Sequence, residues 1–550
     1  MSVSKISMAL LALSSTGVNA ALEPIIAKGQ KLFYENGTQF FMKGIAYQED
    51  ELPGGRALPF ETPFIDPLAD VPQCRRDIPK LRELGVNTIR TYAINATADH
   101  SECMRMLDDA GIYVISDLSH PRLSINRDAG EWNLALYDRY TSVIDELAQY
   151  NNVIGFFAGN EVTNNASNTP ASAYVKAAVR DMKAHIRERD YRWMGVGYAN
   201  NDDTEIREDI AHYFNCGRAE DSVDFWGYNI YSWCGQSTMQ RSGYDRQVEF
   251  FTDYGVPVFF AEYGCIDASS AQQRIWQETE ILYDDEMTGV FSGGLVFKYQ
   301  QDAAKFGVVE INRDGSATEF PSFDRLARAH ANSRPRGVEM DSYNTDFTTP
   351  SECPAQSETW EASAILPPTP DRDLCECAAA ASPCGPSGTL SDDDMAEIFN
   401  FICDASPVSC AGIHHNSTSG VYGAFSMCGQ AHKLAHVLGA YYENTNQAFD
   451  SCDFDGRAET KSDTSESSCR DPLASAAEHN EAAATQTQGD PASITGGTGS
   501  GSGGSGSDDT DGESFGVSSI SMTRMFAMGD LVVGLYLAVA GAAGAAMVML

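Results

Sequence analysis

The stretch from Val153 to Glu161 reads VIGFFAGNE, an apolar run that ends on an amide and a carboxylate. A second stretch, from Val256 to Glu262, reads VPVFFAE and also ends on a carboxylate. Such runs are typical of strands that are buried on both faces of a parallel sheet. A carboxylate at the end of a buried strand is costly to desolvate unless it has a task. The two runs therefore predict two strands of one barrel with Glu161 and Glu262 at its catalytic face.

Six further apolar segments have the same character, and most of them are followed by a helical stretch. The spacing predicts eight repeated βα units, which is the pattern of a (β/α)8 TIM barrel over residues 21–335. The eight strand candidates are Phe40–Tyr47, Thr88–Tyr92, Tyr113–Asp117, Val153–Glu161, Met194–Tyr198, Phe225–Tyr231, Val258–Tyr263 and Gly293–Tyr299.

Residues 1–20 have the layout of a secretory signal peptide. Lys5 precedes a short apolar segment, and Val18-Asn19-Ala20 is a small-residue cleavage site. The chain is therefore expected to enter an oxidising compartment, where its 14 cysteines would form disulfides. Four Asn-X-Ser/Thr sequons fit a secreted glycoprotein. Their asparagines are Asn36, Asn95, Asn165 and Asn416.

The C-terminal part of the chain divides by composition. Residues 336–372 predict a connector that packs on the barrel, and residues 373–470 hold eight cysteines, which is the density of a small disulfide-stapled module. Residues 471–515 are rich in Ser, Gly, Thr and Asp and predict a disordered stalk. Residues 516–550 end in an uncharged apolar tail, which predicts a GPI-attachment signal that is removed on maturation.

The lipid attachment residue is expected to be Ser514 or Gly516. A tail-anchoring membrane helix is the alternative, but the Ala and Gly content of the tail and the lack of a basic flank favour the GPI signal. The mature chain would then lie at the outer face of the plasma membrane and in the cell wall, with the GPI anchor as its only link to the membrane.

The charge balance excludes one class of partner. The chain has 38 Lys and Arg against 77 Asp and Glu, a formal net charge of −39. Nucleic-acid binding requires a basic surface, so we expect no nucleic-acid partner. An acidic surface suits an uncharged glycan, although charge alone does not identify a substrate.

No motif predicts a cofactor or a metal. His432 and His436 have the spacing of helical metal ligands, but Lys433 stands where a zinc protease has its glutamate. The acidic residues Asp392–Asp394 and Asp404 lack the spacing of an EF-hand. We therefore expect no metal and no cofactor. We also expect the chain to be a monomer.

The carboxylate pair predicts retaining glycoside chemistry, which needs two carboxyl groups about 5 to 5.5 Å apart. Glu161 is assigned as the acid/base because the preceding Asn160 could hold the 2-hydroxyl of the sugar. Glu262 is assigned as the nucleophile. Tyr231, at the end of the sixth strand candidate, could donate a hydrogen bond to Glu262 and favour its ionised form. Two unrelated carboxylates that cap loops are the alternative.

Other polar and aromatic residues at strand ends are expected to bind sugars or to support the pair. Arg90 could also favour the ionised nucleophile, with an ordinary ion pair as the alternative. Tyr92, Tyr231 and Tyr299 could stack on sugar faces, although aromatic residues are also common in cores. The predicted substrate-binding set is Gln48, Arg90, Tyr92, Asp117, Asn160, Asn201, Tyr231 and Tyr299.

Six motifs in the barrel region resemble those of the fungal GPI-anchored β-1,3-glucanosyltransferases of glycoside hydrolase family 72. The cysteine-rich segment resembles a family 43 carbohydrate-binding module. The barrel motifs are RTYAI at 90–94, DHSEC at 99–103, GNEVTN at 159–164, YNIYSWCG at 228–235, FAEYGC at 260–265 and GGLVFKY at 293–299. One departure is the insertion of Glu49-Asp50-Glu51-Leu52 before a Pro-Gly turn, in a loop expected to edge the groove.

The resemblance implies an enzyme that cleaves an internal β-1,3-glucan bond and holds the new reducing end on Glu262. The bound chain would pass to the non-reducing end of a second glucan, so that donor and acceptor glucans are the expected partners. The resemblance also implies seven disulfides. They are Cys74–Cys103, Cys216–Cys353, Cys234–Cys265, Cys375–Cys428, Cys377–Cys469, Cys384–Cys452 and Cys403–Cys410.

Two other functions remain open at the level of sequence. An endo-β-1,3-glucanase would use the same residues but release the intermediate to water. A non-catalytic glucan-binding wall protein would not need both carboxylates, and the presence of Glu161, Glu262 and Asn160 argues against it.

Overall fold

The computed structural model describes residues 21–266, 271–344, 352–462 and 467–485. Its centre is a closed barrel of eight parallel strands, so the predicted (β/α)8 fold is confirmed. Each strand pairs with the next along the chain, and the eighth closes onto the first. The strands are β1 Met42–Ala46, β2 Thr88–Thr91, β3 Tyr113–Asp117, β4 Val153–Asn160, β5 Gly195–Asn201, β6 Trp226–Asn229, β7 Val258–Tyr263 and β8 Phe291–Val296.

Helices follow the strands and surround the barrel. Capping residues start several of them; Asp70, for example, accepts a hydrogen bond from the backbone N–H of Gln73 at the start of the first helix. The helices of this part are Val71–Glu83, Ser101–Asp109, Leu134–Leu147, Ser172–Glu188, Arg207–Phe214, Met239–Ser242, Tyr244–Phe251, Gln277–Leu282, Asp285–Thr288 and Pro321–Asn332, with 3-10 turns at Ala166–Ala171 and Ala271–Gln273.

The barrel interior is a packed apolar core, as the uninterrupted apolar runs predict. A three-stranded antiparallel sheet of Ile26–Lys28, Lys31–Phe33 and Gln39–Phe40 precedes β1. Its residues Leu32 and Phe40 join one buried cluster with interior barrel residues such as Phe157 and Phe259. This packing fills one end of the barrel and leaves the C-terminal ends of the strands for the site.

Closure of the barrel requires a glycine at one point. Gly293 in β8 has a φ of +92°, and a Cβ there would lie 2.2 Å from the carbonyl oxygen of Met42 in β1. A larger residue would therefore force the two strands apart.

A short hairpin of Val309–Ile311 and Ala317–Glu319 follows β8, and the connector and a helical module follow the barrel. In the connector, Trp360 is fully buried and packs on Tyr213, with ring centroids 5.1 Å apart. The module contains helices Arg372–Ala381, Asp392–Ala405, Gln430–Asn444 and Arg470–Thr485, 3-10 turns Pro407–Ile413, Phe449–Cys452 and Ser467–Cys469, and strand pairs Cys384–Pro386 with Ala458–Thr460 and His415–Asn416 with Val421–Tyr422.

The module packs on the barrel near the helix that follows β3. The buried ammonium of Lys433 lies 3.2 Å from a carboxylate oxygen of Glu131. The backbone N–H of Leu134 donates to the carbonyl of Met427, and the Leu134 side chain belongs to a cluster of module residues. The contact is therefore both ionic and apolar.

All 14 cysteines form disulfides, in the same seven pairs that the family resemblance implies. Three pairs lie in the barrel and connector, and four lie in the module. They are Cys74–Cys103, Cys216–Cys353, Cys234–Cys265, Cys375–Cys428, Cys377–Cys469, Cys384–Cys452 and Cys403–Cys410.

The prediction that a disordered stalk begins at residue 471 is wrong for its first part. Residues Arg470–Thr485 form a helix whose Ala476 is buried against the module. Asn480 accepts a hydrogen bond of 2.7 Å from the N–H of Ala424, and His479 lies 2.7 Å from the carbonyl of Tyr422. The segment is rich in alanine, the strongest helix former, which outweighs its lack of large apolar residues.

Three of the four sequon asparagines are exposed, and each accepts a hydrogen bond from the hydroxyl two residues on. These residues are Asn36, Asn95 and Asn165, while Asn416 is half-buried. The predicted signal peptide, the lipid attachment residues Ser514 and Gly516 and the apolar tail lie outside the described residues. In the part of the chain that the structure describes, no helix is both long and apolar enough to cross a membrane.

Candidate active site

Glu262 lies near the C-terminal end of β7 and receives hydrogen bonds on both carboxylate oxygens. Its Oε1 accepts from Tyr92 at 2.8 Å and from Arg90 at 3.2 Å, and its Oε2 accepts from Tyr231 at 2.7 Å. Burial raises the pKa values of both tyrosines well above the ordinary value, so the phenols stay protonated and act as donors. Three donors around a buried carboxylate satisfy both of its oxygens and fix its orientation.

Arg90 contacts Glu262, Asp117 and Asn160 through its guanidinium group. Its guanidinium is fully buried at the end of β2, and its Nη2 donates to Asn160 at 2.9 Å and to Asp117 at 3.0 and 3.1 Å. The guanidinium also lies over the ring of Tyr92, at 4.3 Å from the centroid. Buried charges of this kind are tolerated only when they are paired, which explains the position of Asp117 beneath Arg90.

Glu161 lies at a sharp bend directly after β4. Its φ is +49°, in the left-handed region that side chains other than glycine seldom adopt. The bend is held by two contacts of the main chain. The N–H of Glu161 donates to the carbonyl of Ala199 at 2.8 Å, and Arg127 donates to the Glu161 carbonyl at 2.5 Å. Strained backbone of this kind is often found at functional sites.

The Glu161 side chain is oriented by a residue of β6. Asn229 donates to Oε1 of Glu161 at 2.8 Å and to Asn160 at 3.1 Å. Asn160 therefore links the surroundings of both carboxylates, because its Oδ1 also accepts from Arg90. One hydrogen-bonded network thus connects Glu161 to Glu262 across the mouth of the barrel.

Two carboxyl groups of the site, those of Glu161 and Asp117, have raised pKa values. Burial, and after it the negative charge of Glu262, raise the pKa of Glu161, against the opposing effects of Asn229 and Arg127. Burial also raises the pKa of Asp117 to about 6, although Arg90 opposes the rise. A carboxyl with a raised pKa is suited to donate a proton near neutral pH.

An aromatic wall of Phe297 and Phe306 lies beside the tyrosines that contact Glu262. Phe297, just after β8, lies 6.4 Å from Tyr92 and 6.4 Å from Tyr231 between ring centroids, and Phe306 packs on it at 5.4 Å. The rings meet nearly edge to face. The wall leaves Tyr92 and Tyr231 partly exposed, as a surface for sugar stacking requires.

The structure does not bring all of the predicted sugar-binding residues to the carboxylates. Tyr299 is fully buried, and its hydroxyl donates to Asp77 at 2.8 Å, so its assignment as a sugar-stacking residue is corrected. A phenol inside the core satisfies its hydroxyl there, and here Asp77 also accepts from Tyr47. Tyr299 is a core residue behind the site.

The remaining predicted residues lie at the strand ends in three different settings. Asp117 is almost fully buried and contacts Arg90, so it supports the site from below. Asn201, at the end of β5, donates to the carbonyl of Asn164 and keeps its own buried oxygen without a hydrogen bond. Gln48 is half-buried after β1 and donates to Asp50.

Two residues of the site were missed by reasoning from the sequence. Asn229 ends a barrel strand, and the rule that polar residues at such ends face the site could have identified it. Arg127 lies in the loop after β3, where no periodicity or motif marks it.

The histidine pair of the module belongs to a different environment. His436 is packed against the ring of Phe425, with centroids 4.4 Å apart, and burial lowers its pKa to about 4. Over residues 21–266, 271–344, 352–462 and 467–485, no group of three or more His, Cys, Asp or Glu side chains is arranged to hold a metal ion.

A closed (β/α)8 barrel with two hydrogen-bonded glutamates at the C-terminal ends of β4 and β7 has the layout of a glycoside-processing enzyme. Comparison with known families agrees with this class. The profile of the glucanosyltransferases of glycoside hydrolase family 72 matches residues 14–334, and that of the X8 domain matches residues 382–459. The chain belongs to the family 72 glucanosyltransferases.

Individual relatives resemble the chain over most of its length. A 1,3-beta-glucanosyltransferase of Arthroderma benhamiae is 49% identical over 479 residues, which are 86% of this chain and 87% of that protein. The 1,3-beta-glucanosyltransferase gas1 of Schizosaccharomyces pombe is 42% identical and covers 80% of this chain and 79% of its own length.

A solved structure has the same fold. A mutant of Saccharomyces cerevisiae Gas2p, in complex with laminaritetraose and laminaripentaose, superposes with a TM-score of 0.74 at 38% identity. The match covers 83% of this chain and 99% of that one.

Proposed function

We propose that this chain is a β-1,3-glucan elongating transglycosylase that acts with retention of configuration. The observation that carries the proposal is the pair of glutamates in one hydrogen-bonded network. Glu262 accepts hydrogen bonds from Arg90, Tyr92 and Tyr231, whereas the pKa of Glu161 is raised. The substrate class is supported by membership of the family and by the oligosaccharides bound to the Gas2p relative.

In the first step, a carboxylate oxygen of Glu262 attacks the anomeric carbon of a glucose unit inside the donor chain. A bond from Glu262 to that carbon forms while the glycosidic bond to the leaving chain breaks. Glu161 transfers its proton to the departing oxygen, so that the leaving chain ends in a hydroxyl. Arg90 and the two tyrosines hold the attacking oxygens in place.

In the second step, a hydroxyl at the non-reducing end of an acceptor glucan attacks the same carbon. Glu161, now a carboxylate, takes the proton of that hydroxyl, and the bond to Glu262 breaks. The negative charge of Glu262, which raises the pKa of Glu161 in the free enzyme, is absent while Glu262 carries the sugar. The pKa of Glu161 is therefore higher in the free enzyme, where Glu161 must hold a proton to donate. It is lower in the glycosyl-enzyme, where Glu161 must be a carboxylate that accepts one.

The competing outcome at this stage is hydrolysis. Water and an acceptor sugar would attack the same carbon, so the enzyme must hold the acceptor in place to favour transfer. The aromatic wall of Phe297 and Phe306, together with Tyr231, offers a surface on which an acceptor could stack.

A trapping experiment tests the proposed chemistry. A donor that carries fluorine at C2 and a good leaving group slows the second step, so the chain is expected to gain the mass of the glycosyl unit. Proteolysis would locate that mass on the peptide that contains Glu262. Failure to label this peptide, with turnover of the natural donor intact, would contradict the assignment of the nucleophile.

We also propose that the chain is secreted and held by a GPI anchor at the outer face of the plasma membrane and in the cell wall. The seven disulfides support passage through an oxidising compartment. The module of residues 373–470 is proposed to engage glucan, and the protein is proposed to act as a monomer. A phosphatidylinositol-specific phospholipase should release the chain from intact cells, and retention after that treatment would contradict the anchor.

A further inference from the structure

Phe60 is a large apolar side chain that lies almost fully in solvent. It is 80% exposed, in the loop that leaves the C-terminal end of β1. This loop stands on the same face of the barrel as Glu161 and Glu262, because all of these residues follow the ends of parallel strands. An exposed aromatic ring on this face offers a flat apolar surface to a sugar.

The ring of Phe60 is held on one side by a second loop. The guanidinium of Arg122, which follows β3, lies 4.9 Å from the ring centroid, and the same group donates to the Phe60 carbonyl. Four residues further on, the ring of Phe64 packs on His120 at 5.1 Å. Two stacked pairs therefore join the loop after β1 to the loop after β3, and they leave the outer face of Phe60 open.

The loop after β3 leads on to the catalytic carboxyl. Arg127 lies five residues beyond Arg122 and donates to the carbonyl of Glu161. Five residues span at most about 18 Å between the Cα atoms of Arg122 and Arg127, even when fully extended. The loop that holds the Phe60 ring therefore also contacts the main chain of Glu161, so a polysaccharide that extends out of the site can meet Phe60, which is not among the groups that contact the two carboxylates.

We propose that Phe60, supported by Arg122, is a distal glucan subsite. Its occupant is the part of a β-1,3-glucan that extends beyond the sugars at Glu161 and Glu262. The apolar C–H face of a glucose ring matches the open face of the phenyl group, and no charge on the sugar is needed. The inference rests on the proposed function, which it deepens by assigning a determinant of chain-length preference.

The subsite is tested by the dependence of donor use on chain length. The kcat/KM for reduced laminari-oligosaccharides, from the shortest that reacts to a long one, is measured for the wild type and for Phe60→Ala. The ratio of long to short donors should fall about three- to tenfold in Phe60→Ala, as expected for the loss of one aromatic contact. Phe60→Tyr should keep the ratio, because it keeps the ring.

Val338 offers a control, since it is 40% exposed but its backbone N–H donates to Gln39, in the small sheet that fills the opposite end of the barrel. Val338→Ala should leave the length ratio of the wild type unchanged. An unchanged ratio in Phe60→Ala would overturn the subsite, and so would an equal loss at every length together with a lower melting temperature. A wild-type chain that processes no oligosaccharide would contradict the proposed function itself, whereas an active wild type with an insensitive Phe60→Ala variant contradicts only the subsite.

Discussion

The Nη1 atom of Arg90 lies 3.2 Å from Oε1 of Glu262, although β2 and β7 are not neighbours in the barrel. The guanidinium is fully buried and also contacts Asp117, which sits at the end of β3. The barrel therefore places a positive charge below the carboxylate that we propose as the nucleophile. This arrangement separates the proposed roles of the two glutamates.

The first prediction separates the roles of Glu161 and Glu262 by the configuration of an azide product. With an aryl β-laminarioligosaccharide as donor, Glu161→Ala should still form the glycosyl-enzyme, because the aryl leaving group needs little protonation. Azide should then attack it and give a β-glycosyl azide. In Glu262→Ala, azide takes the place of the missing nucleophile and should give the α-glycosyl azide. NMR of the products determines the configuration.

The opposite pairing of products would exchange the two assignments. Azide adducts from neither variant, in folded proteins with wild-type melting temperatures, would contradict the retaining mechanism. For the natural donor, Glu161→Gln should slow both steps and Glu262→Gln should abolish the glycosyl-enzyme.

The second prediction concerns the pKa of Glu161. Burial and then the charge of Glu262 raise it, so removal of that charge in Glu262→Gln should lower it. Because a raised pKa keeps Glu161 protonated to higher pH, kcat/KM of the wild type should fall as the pH rises through that pKa. Carbon NMR titration of labelled glutamate measures the value directly. A pKa of Glu161 that is the same in both proteins would contradict the electrostatic coupling.

The third prediction distinguishes two tyrosines that the sequence suggested for the same role. Tyr231→Phe removes the donor that lies 2.7 Å from Oε2 of Glu262. A hydrogen bond to a charged group contributes about 1.5–3 kcal/mol, so kcat/KM should fall by about ten- to a hundredfold while the melting temperature changes little.

Tyr299→Phe is the matched control, because its hydroxyl donates to the buried Asp77 instead. It should lower the free energy of unfolding by about 1 kcal/mol and leave the acceptor dependence of the reaction as in the wild type. The reverse pattern, with Tyr299→Phe slow and Tyr231→Phe normal, would restore Tyr299 to the substrate site and contradict its place in the core.

The sequence predicts a buried strand well but does not predict the direction in which a single side chain at its end points. The apolar runs before Glu161 and Glu262 identify buried strands, because desolvation selects Val, Ile and Phe over the whole run. The ring of Tyr299 carries no such information, since an aromatic residue at a strand end packs equally well inward or toward a groove. Its partner Asp77 lies on a helix, and only the fold brings the two together.

The network around Glu161 could be predicted only in part for the same reason. Asn229 is at a strand end and follows a rule, whereas Arg127 reaches the Glu161 carbonyl from a loop whose path no local pattern determines. The helix Arg470–Thr485 was missed because composition alone suggested a stalk, while alanine propensity and packing against the module decide its structure.

The fourth prediction concerns the contact between module and barrel. Although burial opposes it, the charge of Lys433 lowers the pKa of Glu131 and stabilises its ionised form. Lys433→Met would leave the half-buried Glu131 carboxylate without its ammonium partner, which should destabilise the chain by about 1–3 kcal/mol near neutral pH. The exposed Lys461 provides a control, and Lys461→Met should leave the melting temperature unchanged.

The pH dependence of that effect has a defined sign. A carboxyl with a lowered folded-state pKa contributes stability above its unfolded pKa, and this contribution is lost as the pH falls through the folded value. The difference in melting temperature between the wild type and Lys433→Met should therefore shrink on acidification. A difference that grows at low pH, or none at neutral pH, would contradict the role assigned to the ion pair.

The most direct test of the central claim is the size of the products. The purified secreted part of the chain is incubated with one reduced β-1,3-gluco-oligosaccharide, and the products are separated by length, with Glu262→Gln as the inactive control. We predict products longer than the starting sugar, because the glycosyl unit on Glu262 passes to a second sugar. Products that are only shorter would identify a hydrolase and contradict the account of this chain as a transglycosylase.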